Sequence, residues 1–304
     1  MSQPYGPGSP GFGILSAIVL VALVLWTGLA IWVARQRGIL DRADRMRSWA
    51  TKHLDKAVTP VARRLSVDAA ATVGLLSGLA LVAVFAAGFT KLLDGIFDGE
   101  LTDYVDEPAS EWFAARRDLW LTDALKVLTH LGDGLALVVI VVVVSAVATW
   151  QARSWLPAVL GVSGLVGVGV VLVTAKVVVG RIRPPSWIAV ITEDGFSFPS
   201  GHATGSFAVA VLVSWMLGHW VFRGRVARAM VWAIALAAAG LVGFSRVYLG
   251  VHYVSDVVAG AFLGAAWAVA MIVFGAWWEF RRLSAHPAPP ARGRMQRQDL
   301  TRQR

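Results

Sequence analysis

The chain has 304 residues, of which 57% are hydrophobic and 15% are charged, and its mean hydropathy is +0.63. This apolar load excludes an ordinary soluble domain and is typical of an integral membrane protein. The formal net charge is +9 and cysteine is absent, so disulfide bonds and thiolate metal sites are excluded.

Continuously apolar stretches of about 17 to 25 residues recur along the chain, which is the length of a helix that crosses a hydrocarbon core of roughly 30 Å. The stretches do not alternate as the strands of a membrane barrel do. Seven transmembrane helices are predicted, near Phe12–Ala34, Ala69–Thr90, Gly134–Trp150, Leu156–Val179, Thr204–Phe222, Met230–Leu249 and Val257–Trp278. The predicted fold is an all-α, polytopic membrane helical bundle.

The N-terminal segment 1–68 is predicted to be a transmembrane anchor followed by a basic cytoplasmic segment. Its apolar stretch lacks a basic n-region and is followed at once by Arg35 and Arg37, so we interpret it as a permanent anchor and not as a cleaved signal peptide. Residues 39–61 space their apolar side chains at helical intervals. This pattern is compatible with a helix on the inner leaflet or with a solvated linker.

The core is predicted to span 69–280, and the basic tail 281–304 is predicted to be disordered and cytoplasmic. Between the first two core spans, residues 91–133 form the longest external connection. Its second half, 111–133, is predicted to be one short amphipathic helix that leads into the next span.

Basic residues are concentrated on one side of the predicted topology. Segment 35–68 holds nine Lys or Arg, and the stretch after Trp278 holds seven Arg. The positive-inside rule therefore places 35–68, 151–155, 223–229 and the C-terminus in the cytoplasm. The basicity is explained by topology, and no nucleic-acid partner is predicted.

Three polar clusters interrupt the apolar pattern at predicted helix ends. In chain order they are Lys176-Val-Val-Val-Gly-Arg-Ile-Arg183-Pro184, then Pro199-Ser200-Gly201-His202, and then Ser245-Arg246 followed by His252 and Asp256. Two predicted crossings separate the second cluster from the third, so the chain returns to the same face of the membrane. The three clusters are therefore expected to converge on the outer face.

The composition of these clusters predicts a phosphate site. The candidate cations are Lys176, Arg183 and Arg246. Arginine suits bidentate contact with phosphate oxygens, and we find no acidic partner near these cations except Asp256. Ser200 is expected to cap the next helix, where the N–H groups of Gly201 and His202 add donors for an anion.

The two histidines are expected to divide the reaction. His252 and Asp256 are four residues apart, so on one helical turn the carboxylate can accept the Nδ1 proton and leave Nε2 to attack phosphorus. His202 can protonate the leaving oxygen and then activate water. Taken singly, these residues also fit a satisfied ion pair, half of a metal site, or a turn with an N-cap.

The three motifs together, Lys-x6-Arg-Pro, Pro-Ser-Gly-His and Ser-Arg-x5-His-x3-Asp, resemble the signatures of the type 2 phosphatidic acid phosphatase family, which is related to the vanadium haloperoxidases. The resemblance covers roughly 69–280. It implies a six-helix core with extracytoplasmic motifs, a phosphohistidine on His252, proton transfer by His202, and hydrolysis of lipid phosphates or diphosphates without a metal or other cofactor. The N-terminal helix is an addition to this plan.

The sequence thus predicts a metal-independent lipid phosphatase of the plasma membrane, with substrates such as undecaprenyl diphosphate, phosphatidate or phosphatidylglycerol phosphate. Two alternatives remain: a catalytically silent lipid-binding or transport protein, and a phosphotransferase that passes the phosphoryl group to an alcohol or sugar. The sequence leaves the oligomeric state and the preferred lipid open.

Overall fold

The computed structural model describes residues 69–285, and this part of the chain consists of helices and their connections, without strands. Its α-helices are α1 (Ala69–Phe97), α2 (Glu107–Ala115), α3 (Leu119–Thr129), α4 (Gly134–Ala152), α5 (Leu156–Val179), α6 (Gly201–Met216), α7 (Arg225–Tyr248) and α8 (Val254–Ala285). Two π-helical turns, Thr102–Asp106 and Leu217–Val221, precede α2 and follow α6. The predicted N-terminal span and the segment 39–61 lie outside the described residues.

Six of these helices are long and apolar enough to cross a membrane, namely α1, α4, α5, α6 with its π-turn, α7 and α8. The prediction of an all-α membrane bundle with six core spans is therefore confirmed. Several helices run beyond the predicted bounds: α1 continues to Phe97, and α8 extends from Val254 to Ala285. Lys91 and Asp94 at the end of α1 and Arg281 and Arg282 near the end of α8 are exposed, so water can solvate them, whereas Ser255 and Asp256 at the start of α8 are buried.

Helix α6 is the centre of the bundle. In its most apolar stretch 61% of the residues are buried, against at most 33% in the other five spans. Its closest neighbour is α8, because Gly260 and Gly264 allow the two backbones to touch. A Cβ at Gly264 would lie 2.2 Å from the carbonyl oxygen of Thr204, and one at Gly260 would lie 2.8 Å from that of Ser200. Small residues four apart permit such close packing of membrane helices.

The external connection differs from the prediction. Residues 111–133 are not one helix, because the chain breaks between α2 and α3 at 116–118. Asp118 adopts an extended conformation (φ −107°, ψ 134°), and its side chain accepts a hydrogen bond from Trp120 N at 2.9 Å. An N-cap of this kind begins a new helix, so the predicted continuous helix was wrong.

Helices α2 and α3 dock on the end of α7 that contains Tyr248. The Tyr248 hydroxyl accepts from Asp118 N at 2.8 Å, and Arg117 Nε donates to the Tyr248 carbonyl at 2.9 Å. Leu121, Leu125, Tyr248 and Leu249 form a buried apolar cluster there. The same end of the bundle contains the start of α4, the end of α5, and the starts of α6 and α8, so the three motifs meet at one end.

Candidate active site

The first motif lies where α5 ends. Gly180 stops this helix in the left-handed conformation (φ +63°), and its N–H donates to the carbonyl of Lys176 at 2.9 Å. Glycine adopts this conformation without a Cβ penalty. The chain then crosses the motif end of the bundle and enters α6 at Ser200, whose side chain accepts from Ala203 N. Ser200 is thus the helix cap that the sequence predicted.

The third motif turns sharply before α8. Gly250 has φ +76°, and a Cβ there would lie 2.5 Å from the carbonyl of Ile188. The N–H of His252 reaches back to the carbonyl of Arg246 at 3.3 Å. His252 therefore precedes the helix that carries Asp256. The spacing predicted that the two residues share one helical turn, and this prediction was wrong. The turn nonetheless directs the imidazole toward the carboxylate.

His252 and Asp256 form a buried pair, 2% and 0% exposed. His252 Nδ1 lies 3.4 Å from Asp256 Oδ2. The same carboxylate oxygen accepts from Tyr253 N at 2.9 Å and from the hydroxyl of Ser197. These contacts hold the carboxylate in one orientation against the imidazole.

The other nitrogen of His252 faces a cation. Arg183 Nη1 lies 3.1 Å from His252 Nε2. Because a guanidinium only donates, Nε2 must present its lone pair, and the ring proton belongs on Nδ1, toward Asp256. Burial, the largest cause, lowers the pKa of His252 to about 4; Asp256 opposes this shift, and the nearby arginines add to it. The ring is therefore neutral at physiological pH.

Arg183 and Arg246 lie on either side of Glu193. Arg246 is 1% exposed, its Nη2 contacts Glu193 Oε1, and its Nη1 donates to Thr129 Oγ1 at 2.9 Å. Arg183 Nη2 is 4.0 Å from Glu193 Oε2. The expectation that these cations lack an acidic neighbour other than Asp256 was therefore wrong, because the connection 185–198 folds back over them.

The contact between Glu193 and Arg246 affects the pKa of the carboxyl, and it leaves one guanidinium donor without a partner. Burial raises the pKa of the Glu193 carboxyl, but the guanidinium of Arg246 outweighs it and holds the pKa below its ordinary value. Arg246 Nε is buried and has no hydrogen-bond partner. Buried donors are normally satisfied, so this N–H is suited to an acceptor that the site receives from outside.

His202, at the start of α6, faces a second carboxylate. His202 Nε2 is 2.9 Å from Asp133 Oδ1, and His130 Nδ1 is 2.8 Å from Asp133 Oδ2. Burial raises the pKa of Asp133, but its bonds to the two histidines bring it below its ordinary value. Asp133 is therefore ionised, and it holds His202 by Nε2, so Nδ1 is the ring nitrogen that Asp133 does not engage.

Lys176 is placed differently from the two arginines. Its ammonium donates to the carbonyl of Phe196, next to Ser197. The backbone N–H of Ser200, beside Gly201, donates to the carbonyl of Asp256 at 3.0 Å. The second and third motifs are thus joined through the backbone, while Lys176 supports the segment that contacts His252.

A cavity of about 1010 Å³ lies at the motif end of the bundle; Arg183, His202 and Arg246 line it, whereas Lys176, Ser200, Gly201 and His252 are not part of its lining. The polar groups that line it include Lys126, Thr129, Asp133, Arg183, Glu193, His202 and Arg246. The lining combines two arginines, a lysine, two histidines and three carboxylates with apolar residues of 182–191. Its two arginines are suited to contact with an anionic group.

Sequence reasoning missed the roles of Asp133, Ser197 and Glu193. Asp133 follows His130 in a Leu-Thr-His-Leu-Gly-Asp stretch, a weak signal of a functional segment. Ser197 and Glu193 belong to the connection between the first two motifs, where spacing predicts no contact.

Comparison with known proteins places this site in a family. The profile of the PAP2 superfamily matches residues 154–280, which contain all three motifs. The chain is 34% identical over 163 residues to phosphatidylglycerophosphatase B of Bacillus subtilis, covering 52% of this chain and 77% of that protein. It is 32% identical over 96 residues to an undecaprenyl-diphosphatase of Sulfolobus acidocaldarius, covering 30% of this chain and 42% of that protein.

A solved structure agrees with the fold. The crystal structure of a transmembrane PAP2 type phosphatidylglycerolphosphate phosphatase from Bacillus subtilis superposes with a TM-score of 0.60 and 28% identity, covering 64% of this chain and 94% of that one. The bundle and its site therefore define a multi-pass membrane enzyme of the lipid phosphatase class. The chain belongs to the PAP2 superfamily, as the motifs predicted.

Proposed function

We propose that this enzyme hydrolyses a lipid phosphate or diphosphate through a phosphohistidine on His252, at the extracytoplasmic face of the plasma membrane. The observation that carries the proposal is the orientation of His252: Nδ1 faces Asp256, and Nε2 faces Arg183. A neutral imidazole whose lone pair points toward a cation is arranged to attack an anionic phosphorus centre.

The phosphate is proposed to bind between Arg183 and Arg246. In the structure the carboxylate of Glu193 contacts Arg246 and lies near Arg183. A substrate phosphate would take the place of this carboxylate and give Arg246 Nε an acceptor. Lys176, Ser200 and Gly201 complete the proposed phosphate site, the last two by position at the start of α6.

The reaction then has two steps. His252 Nε2 forms a bond to phosphorus as the bond from phosphorus to the lipid oxygen breaks, and His202 Nδ1 gives that oxygen a proton. Water next attacks phosphorus, His202 takes the proton from this water, and the nitrogen–phosphorus bond breaks to release phosphate. The guanidinium groups stabilise negative charge on the equatorial oxygens throughout.

The substrate class follows from the relatives. Their names describe phosphatidylglycerophosphate and undecaprenyl diphosphate as substrates. The cavity joins an anion site to apolar walls, which fits a phosphate on a lipid. We propose phosphatidylglycerol phosphate, undecaprenyl diphosphate and phosphatidate as candidates.

The proposed orientation rests on charge. The segments at the end opposite the motifs are richer in Lys and Arg, which supports an orientation with the motif end outside and the C-terminus inside. The proposed division is an anchor with a basic segment over 1–68, the phosphatase core over 69–280, and a basic tail over 281–304.

The test of this function is phosphate release from the three candidate lipids in detergent, with and without excess EDTA. We expect release from at least one lipid at a rate that EDTA leaves unchanged, because fixed cations supply the charge that many phosphatases take from metal ions. Loss of release in EDTA, with recovery on added divalent metal, would contradict the metal-independent mechanism. Addition of glycerol as a competing acceptor separates hydrolysis from phosphotransfer.

Glu193 gives a second measurable consequence. Glu193→Gln removes the carboxylate that competes with phosphate for the two arginines, so inhibition by inorganic phosphate should tighten by about three- to tenfold, as for loss of a competing partly exposed ion pair worth about 1 kcal/mol. Asp194→Asn removes the same charge one residue away and serves as the matched control. Equal or weaker inhibition of the Glu193 variant would contradict this competition.

A further inference from the structure

Arg181 lies in the interior of the first motif, two residues before Arg183, and makes a set of contacts that the proposed reaction does not use. Its side chain is 9% exposed. Nη1 donates to Asp256 Oδ1 and to Ser255 Oγ, both at 2.7 Å. Nη2 donates to Asp106 Oδ2 at 2.8 Å and to Thr102 Oγ1 at 3.0 Å. One guanidinium thus bridges two carboxylates.

Asp106 is fully buried, at the end of the π-helical turn that precedes α2. Its Oδ1 accepts from the backbone N–H of Ser255 at 2.9 Å, and its Oδ2 accepts from the Ser255 hydroxyl. A carboxylate that accepts from a first-turn N–H caps the helix and suits its positive end. Asp106 therefore caps α8, the helix that carries Asp256, from a distant part of the chain.

The guanidinium is held on a third side by an aromatic ring. Arg181 Cζ lies 4.3 Å from the centroid of the Tyr253 ring. In the chain, Tyr253 stands between His252 and the first residue of α8. Arginine is suited to such stacking together with forked contacts to carboxylates. The guanidinium of Arg181 is therefore restrained at its edge by hydrogen bonds to two carboxylates and on its face by the Tyr253 ring.

Neither Arg181 nor Asp106 belongs to the described lining of the active-site cavity. A phosphate in that cavity would meet Arg183 and Arg246 instead. Arg181 reaches the proposed nucleophile through Asp256, which accepts from Arg181 on Oδ1 and faces His252 with Oδ2.

We propose that Arg181 and Asp106 are positioning residues that hold Asp256 against His252 and set the charge that His252 experiences. The role rests on the proposed function of His252 as nucleophile. Arg181 offsets the negative charge of Asp256, and Asp106 in turn offsets Arg181 and caps α8. The connection that follows α1 is thus linked to the imidazole of His252 through Asp106, Arg181 and Asp256.

The sign of the electrostatic effect differs between the two residues. Removing the cation leaves the charge of Asp256 uncompensated, which favours the protonated imidazole and raises the pKa of His252. Removing the negative charge of Asp106 leaves the positive charge of Arg181 less compensated. The added positive potential does not raise the pKa of His252. A purely structural anchor would not produce this difference.

The test uses the full-length enzyme in detergent with Arg181→Gln, Arg181→Lys and Asp106→Asn. Arg116→Gln is the matched control, because Arg116 is an external arginine that also lies over an aromatic ring, at 4.8 Å from Trp112. We expect kcat to fall by about 10- to 100-fold in Arg181→Gln, the usual effect of removing an outer partner of a functional histidine or carboxylate. KM should stay within about twofold, since Arg181 lies outside the phosphate site.

A direct readout is the pKa of His252, measured by NMR on protein with labelled histidine and assigned by its absence in His252→Ala. It should rise in Arg181→Gln, stay near the wild-type value in Arg181→Lys, and not rise in Asp106→Asn. An unchanged kcat in Arg181→Gln overturns the proposal. So does a loss of kcat with the same pKa of His252 in all variants, because that pattern describes a structural anchor.

The panel also separates this inference from the proposed function. If His252→Ala keeps its activity, the nucleophile assignment fails, and the role of Arg181 fails with it. If His252→Ala is inactive and Arg181→Gln behaves like Arg116→Gln, only the role of Arg181 is overturned.

Discussion

Replacing His252 with alanine is expected to reduce lipid-phosphate hydrolysis by at least about 10⁴-fold, the range seen when a catalytic nucleophile is removed. The imidazole is 2% exposed, and it is the group between Asp256 and the cation Arg183. Without it no side chain at that place can form the covalent intermediate. Water would then have to attack the bound lipid phosphate directly.

The intermediate itself is the sharper measurement. Rapid acid-free quenching of the wild type with phosphorus-labelled lipid should give labelled protein whose phosphate is stable in base and labile in acid, on the peptide that contains His252. The His252→Ala variant should give none. His219→Ala is the control, since His219 pairs with Glu279 at the other end of α6. Labelled His252→Ala protein, or labelling at another residue, would refute the assignment.

Asp256→Asn is expected to reduce kcat by about 10²- to 10⁴-fold, as loss of an orienting carboxylate does in a catalytic triad. The carboxylate accepts on both oxygens, and Oδ2 accepts from Tyr253 N and faces His252 Nδ1. An amide NH₂ in the place of Oδ2 would direct a donor at His252 Nδ1. The imidazole would then favour the tautomer that carries its proton on Nε2. That tautomer has no lone pair directed at phosphorus.

KM should change little in Asp256→Asn, because Asp256 is 0% exposed and does not belong to the lining of the cavity. Separate measurement of kcat and KM for one lipid, with thermal unfolding as a check of the fold, tests this. Asp103→Asn, in the exposed part of the π-helical turn, is the control. An unchanged kcat, or a loss confined to KM, would remove the orienting role.

The fold class was predictable because each span is a continuous apolar stretch, and the length that crosses a bilayer is a property of the helix alone. The described core has the six spans that hydropathy indicated. The helix ends were less predictable, since caps and π-turns set them. Asp118, for example, divides the external connection into two helices through a single side-chain bond.

The sequence predicted that the three motifs lie at the same end of the bundle, and the structure brings them together there. The parity of crossings brings the three motifs to one end of the bundle, and their histidines and arginines indicate phosphate chemistry. The partners of these residues were not predictable. Asp133, Glu193 and Asp106 meet His202, Arg246 and Arg181 across 53 to 75 residues of chain.

The sequence by itself therefore determined the membrane bundle, the order of its spans and the set of reactive groups, because these depend on local composition and on spacing along the chain. Only the tertiary structure decided which carboxylate faces which cation and which nitrogen of each histidine faces a carboxylate. Those choices depend on close approach, as where Gly260 and Gly264 allow α8 to touch α6. They depend also on the turn at Gly250, and no linear spacing encodes either geometry.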